Sequence, residues 1–127
     1  MMAFIILFCR FEEIIALNIF VVISVPEPPI VEGDETSREV LLGDAITMIC
    51  SSRGGVPPPT LKWFRVVNGS REELPSHVED HGGIVKAALD IVVDASDKYA
   101  EYHCEASNFA TTAPLRTNTS LTFTKGE

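Results

Sequence analysis

The sequence predicts an all-β fold, a sandwich of two antiparallel sheets, on three observations. Short runs alternate apolar and polar side chains and are separated by clusters of Gly, Pro, Asn, Asp and Ser, the pattern of strands and turns. Cys50 and Cys104 each stand in such a run on its apolar side: Ile46, Met48 and Cys50 share one face, and Ala100, Tyr102, Cys104 and Ala106 share another. Trp63 follows the first cysteine by thirteen residues, and Tyr102 precedes the second by two. Two inward cysteines on separate strands with an aromatic beside them suggest a disulfide across a core. The alternative is a pair of reduced thiols packed as small hydrophobes.

Residues 1–25 differ in kind from residues 26–127, which hold the domain. Met1 to Cys9 is apolar, Arg10-Phe11-Glu12-Glu13 interrupts it, and Ile14 to Val25 is apolar apart from Asn18 and Ser24. The second run has the length of a signal-peptide core and is short for a bilayer span. Val22 and Ser24 offer a small-residue cleavage site, yet two glutamates precede the core where a basic residue is expected. Read instead as an uncleaved anchor, the segment places three charges in the membrane, which is costly.

Pro26 to Pro29 is a stiff, extended approach, and Pro28 to Glu32 suits an edge strand, where proline is tolerated. Gly33 to Arg38 reads as a loop, and Glu39 to Leu42 as a short strand leading to a Gly43-Asp44 turn. After the strand of Cys50, Ser51 to Pro59 has the turn chemistry of an exposed loop between the sheets. Thr60 to Val67 is the next strand, with Leu61 and Trp63 inward and Lys62, Phe64 and Val66 outward. Asn68-Gly69 is a strong hairpin signal, and Arg71 to Leu74 is the return strand. Pro75 to Gly83 reads as an irregular polar connection. Ile84 to Val93 is a long strand with Ala87, Leu89, Ile91 and Val93 inward; Asp94 to Lys98 turns the corner into the strand of Cys104. Asn108 to Pro114 is a loop, and Leu115 to Thr124 the last strand, with Leu121 and Phe123 inward. The expected core centres on Trp63, Tyr102, Leu89 and Ile91.

A chain of 127 residues is one domain by length. A formal charge of −8 at pH 7 argues against a general nucleic-acid binder, which needs a basic stripe to release phosphate counterions, and against adsorption to anionic lipid. No catalytic set is legible, because no serine sits in a Gly-x-Ser-x-Gly elbow or beside an evident base. His77 and His81 have zinc-ligand spacing on a helix, but Pro75 and Gly82-Gly83 exclude a helix there, so a solvated loop is expected. Glu79-Asp80 and Asp94 with Asp97 lack the frame of a calcium loop, and Arg53-Gly54-Gly55 lacks the lysine and serine of a phosphate loop. The expectation is therefore no cofactor, no metal and no enzymatic activity. Asn68-Gly69-Ser70 and Asn118-Thr119-Ser120 are sequons, each a glycan acceptor in a lumenal protein.

The Cys50, Trp63 and Cys104 spacing and the Tyr-x-Cys corner resemble the immunoglobulin superfamily over about residues 28 to 124. Gly54-Gly55-Val56-Pro57-Pro58-Pro59-Thr60-Leu61-Lys62-Trp63-Phe64 is similar to the constant-2-type domains of the nephrin and Kirre group of tandem adhesion receptors. Cys104-Glu105-Ala106-Ser107-Asn108 is similar to the penultimate strand of many adhesion domains. The resemblance implies a Greek-key sandwich, a Cys50–Cys104 disulfide, and a Tyr102 hydroxyl bonded back to the preceding corner. A loop of 55 residues closed by that bond stabilises by about 4 kcal/mol in the chain-entropy model, and the bond persists only in an oxidising compartment. Cys9 is left over. In tandem proteins of this kind a stretch like Pro26 to Ile30 joins one domain to the next, so residues 1–25 have a third reading, a start not native to the domain. One departure stands out: Lys98 lies six before Cys104 where the family has aspartate, with Asp97 adjacent.

By this resemblance the chain is an extracellular or cell-surface module of cell–cell adhesion. Its partners are immunoglobulin-superfamily ectodomains, homophilic or heterophilic, and it meets the membrane only through a parent receptor or an N-terminal anchor. The alternative is a secreted effector or decoy. The candidate binding surface is the outer side of the Cys104 sheet: Phe64 and Val66, with His103 and Glu105 beside them.

Overall fold

Alternation converts into strands along most of the chain. The computed structural model describes residues 2–8, 17–32 and 37–123. Its strands are β1 (Met2–Phe8), β2 (Leu17–Pro26), β3 (Ile30–Val31), β4 (Ser37–Val40), β5 (Ala45–Val56) and β6 (Thr60–Val67). They continue as β7 (Ser70–Leu74), β8 (His77–Asp80), β9 (Ile84–Val92), β10 (Glu101–Ser107) and β11 (Leu115–Phe123), with a 3₁₀ helix, Ala95–Tyr99, between β9 and β10. One sheet runs β1-β2-β5-β9-β8, with β3 also on β5; the other runs β4-β11-β10-β6-β7. The second sheet is mixed rather than wholly antiparallel, because β4 lies parallel to β11. The first edge is split: β3 pairs with β5 in one sheet, and the chain then crosses to pair β4 with β11 in the other.

The core lies between the sheets where alternation put it. Met48, Cys50, Leu61, Trp63, Ala87, Leu89, Val93, Tyr102, Cys104 and Leu121 are buried, and Ile91 packs against them, partly covered. Cys50 and Cys104 form a disulfide that joins β5 to β10 with Cα atoms 6.5 Å apart. The Trp63 indole N–H donates to the carbonyl of Ala87 at 3.0 Å, so the largest core residue also ties one sheet to the other. Left unmade, a buried donor of this kind costs about 1–3 kcal/mol.

Three elements differ from expectation. Ser51 to Val56 is strand, so only the prolines 57–59 connect β5 to β6. Ser51 and Ser52 are buried, the Ser52 hydroxyl donates to the Glu27 carbonyl at 2.8 Å, and Arg53 still pairs with Ile84. Polar composition there does not mark a loop, since the Ser52 side chain bonds to the adjoining segment. Within the Pro75 to Gly83 connection, β8 pairs with β9; it is an edge strand exposed on both sides, so it carries no apolar alternation. The predicted strand from Glu39 to Leu42 forms instead at Ser37–Val40, leaving Leu41 and Leu42 exposed beside the Gly43 turn. Most of the predicted Gly33 to Arg38 loop, Cys9 and the Arg10 to Glu13 interruption lie outside the described residues.

β1 and β2 pair antiparallel, and β2 runs on into the sandwich, where Ser24 pairs with Val56 and Pro26 with Gly54. Asn108 holds that junction. Its side-chain amide donates to the carbonyls of Ser24 (2.7 Å) and Pro57 (3.0 Å), while its Oδ1 accepts from the Ala110 N–H. Gly55, at φ +90°, suits a close approach: a Cβ there would stand 3.1 Å from Pro26 Cβ, tighter than ordinary contact. No helix among the described residues is long and apolar enough to cross a membrane.

Candidate recognition face

Strand register sets out the outer side of the β4-β11-β10-β6-β7 sheet in rows. His103 on β10 lies opposite Asn118 on β11 and Phe64 on β6, and Phe64 lies opposite Glu73 on β7. One row holds Ser120, Glu101, Val66 and Arg71; the next beyond Phe64 holds Arg116, Glu105 and Lys62. Phe64, Val66, His103 and Glu105 are thus brought onto one face by parity alone.

Exposure on that face is another matter. Phe64 and Val66 are half-buried, and His103 is only 6% exposed. The expectation of His103 as a surface residue is corrected here. It points to the outer side, but Phe64 and Asn118 flank it across the strands, and its Nε2 lies 2.7 Å from Glu101 Oε1 on its own strand. Its Nδ1 is buried without a hydrogen-bond partner. Phe64 is also roofed: the Arg71 guanidinium sits 3.6 Å from the ring centroid and continues to Glu105 Oε2 at 2.6 Å. Lys62 and Glu73 make a looser, exposed pair at 3.9 Å, worth little in stability. The face is an aromatic held under an arginine with charges of both signs around it.

The corner beneath this sheet is structural. Asp94 caps the 3₁₀ helix, its carboxylate accepting from the Ser96 N–H at 2.9 Å, and Asp97 Oδ2 accepts from the Asp94 N–H at 2.8 Å. The Ser96 hydroxyl and then the Ser96 backbone bonds hold the Asp94 carboxyl below its ordinary range. Buried Asp97 also accepts from the Tyr102 hydroxyl, which burial and then that bond push above its ordinary pKa. Arg65 Nε stands 3.4 Å from Asp97 Oδ1, an ion pair rather than an aligned hydrogen bond, and Arg65 also meets the Ser96 hydroxyl. An ion pair at this corner therefore forms from position 97, although position 98 is lysine.

His77 opens β8 rather than lying in a loop, His81 lies in the exposed connection just beyond it as expected, and both rings meet Glu79, at 2.9 and 3.0 Å. The hydrogen bond from His77 leads the causes that lower the Glu79 pKa. Among the described residues no group of three or more His, Cys, Asp or Glu side chains is placed to hold a metal. Asn68, at φ 51° on the β6–β7 turn, and Asn118, on β11, are both exposed. Sequence reasoning missed the roles of Asp97 and Asn108, both read as corner or loop residues. The acidic pair before Tyr102 was the signal for the first; for the second, an Asn opening a loop with Thr111 three residues on, whose hydroxyl bonds back to it.

Residues 28–108 match the family described as the immunoglobulin domain. Mouse hemicentin-1 is 32% identical over 84 residues, covering 65% of this chain and 1% of that protein. Human nephrin is 28% identical over 94 residues, covering 67% of this chain and 8% of nephrin. The chain spans a small fraction of these relatives. Among solved structures, Rst D1-D2 shares the fold with a TM-score of 0.69 at 17% identity, over 90% of this chain and 58% of that one.

Proposed function

Because the chain belongs to the immunoglobulin domain family, we propose that it is an extracellular recognition module of cell–cell adhesion, docking other immunoglobulin-superfamily ectodomains through the Phe64 face. The observation that carries the reading is the Phe64–Arg71–Glu105 arrangement. Aromatic and arginine side chains dominate binding energy when a partner excludes water from them. Here a half-buried ring is already in place under a guanidinium held by Glu105, which lessens the side-chain entropy to be lost on docking. Mixed charges around them give the polar rim that fixes register. The disulfide supports an oxidising, cell-exterior location, and the likeness to hemicentin-1 and nephrin supports an adhesion context.

The test compares wild type with Phe64→Glu and Arg71→Ala in surface-plasmon binding to a second copy of the chain and to the nephrin ectodomain. Each variant should weaken association by about 2 kcal/mol, roughly thirtyfold, with a melting temperature close to that of wild type. Binding unaltered by both variants refutes the face.

A further inference from the structure

Resting on that face as the docking surface, we propose that an N-linked glycan on Asn118 closes it, so that the glycosylated and bare forms of the protein differ in recognition. Asn118 is exposed and stands in the same cross-strand row as His103 and Phe64. Neighbouring strands lie about 4.8 Å apart, so the acceptor is about two strand spacings from the ring, on the same side of the sheet. His103, between them, is almost fully covered, and the side chain that meets its ring is the Glu101 carboxylate on the same strand, so no bulky residue stands between the glycan and the Phe64–Arg71 pair. The sequon residue Ser120 lies on the same side in the adjacent row, opposite Glu101. The modification itself is balanced by known chemical classes. Asn118 Nδ2 bonds to the anomeric carbon of an N-acetylglucosamine carried on a lipid pyrophosphate; the pyrophosphate oxygen leaves with the bonding electrons, and the amide proton passes to solvent.

The second sequon provides the internal control. Asn68 sits at the hairpin tip, four residues along β6 from Phe64, about 13 Å away at strand rise. A glycan there projects from the end of the sheet and leaves the face open.

The experiment uses the whole chain expressed in secretory cells, with glycan occupancy read by peptide mass analysis. Wild type is compared with Asn118→Gln, Ser120→Ala and Asn68→Gln. The probe for the face is a Fab raised against glycan-free protein and chosen because Phe64→Glu abolishes its binding; a second copy of the chain is the probe for function. Occupied Asn118 should weaken Fab binding by at least about tenfold, since a steric clash acts as a repulsive element. Asn118→Gln and Ser120→Ala should both restore it, and Asn68→Gln should not. An unmodified Asn118, or Fab binding indifferent to its glycan, overturns the proposal. If the glycan blocks the Fab but glycan-free protein neither self-associates nor binds the nephrin ectodomain through Phe64, closure stands and the adhesion reading fails.

Discussion

Replacing Asp97 with alanine removes three interactions from one buried carboxylate. The Tyr102 hydroxyl loses its acceptor in a site without solvent, which costs about 1–3 kcal/mol. The Asp94 N–H loses its reciprocal cap, worth about 0.5–1 kcal/mol. The ion pair with Arg65, whose side chain is 23% exposed, adds up to about 1 kcal/mol. Removal of the carboxylate also relieves its own desolvation, which pulls the total toward the lower end. The expected loss is about 1.5–3.5 kcal/mol, or at least about 6 °C in Tm for a domain of this size. Asp97→Asn keeps an acceptor for Tyr102 and should lose about half as much. Lys98→Ala is the control: Lys98 is exposed, its ammonium lies 5.8 Å from the Phe123 ring, and its removal should change stability by no more than about 0.5 kcal/mol. The assay is urea unfolding followed by Trp63 fluorescence, with the disulfide intact. A loss below about 1 kcal/mol for Asp97→Ala, or a larger loss at Lys98, would refute the assignment of the corner to position 97.

Two further outcomes follow from the same geometry. Tyr102 has its pKa raised above the ordinary 10.0 in the folded state, so its contribution is fully present below about pH 10 and is lost as pH rises beyond. Denaturation midpoints should accordingly be insensitive to this group between about pH 7 and 9 and fall above about pH 10; Tyr102→Phe should be weaker at neutral pH and lack that alkaline component, and an identical decline in the variant would count against it. At the β2 junction, Asn108→Ala removes two donated bonds and should cost about 1–3 kcal/mol, while Gly55→Ala strains a φ of +90° against Pro26. Both should speed hydrogen exchange at the Glu27 amide, which bonds to the Arg53 carbonyl; unchanged exchange in both would mean that β2 is held by its ladder alone.

How far the sequence reached depended on the kind of question. Side-chain parity is a local property with period two, so Leu61, Trp63, Leu89, Tyr102 and both cysteines could be assigned to the core before any strand was paired. The Asn68-Gly69 turn was legible for the same reason, since positive φ at both positions is a demand on those two residues. The strand from Ser51 to Val56 was hidden because serine and glycine signal a turn when read locally. The burial of Ser51 and Ser52, and the close approach of Gly55 to Pro26, exist only once β2 and β3 lie beside them.

The candidate face around Phe64 shows the same division. Parity put Phe64, Val66, His103 and Glu105 on one side of a sheet, and the structure keeps them there. Parity carries no account of what long side chains from neighbouring strands do. Arg71, from the return strand, reaches over Phe64 to Glu105, and His103 sinks between Phe64 and Asn118. The side of the sheet on which a residue stands is a local consequence of backbone pleat, and the sequence determined it. What covers that residue depends on cross-strand register among segments as many as 54 positions apart, Phe64 to Asn118, and only the tertiary structure decided it.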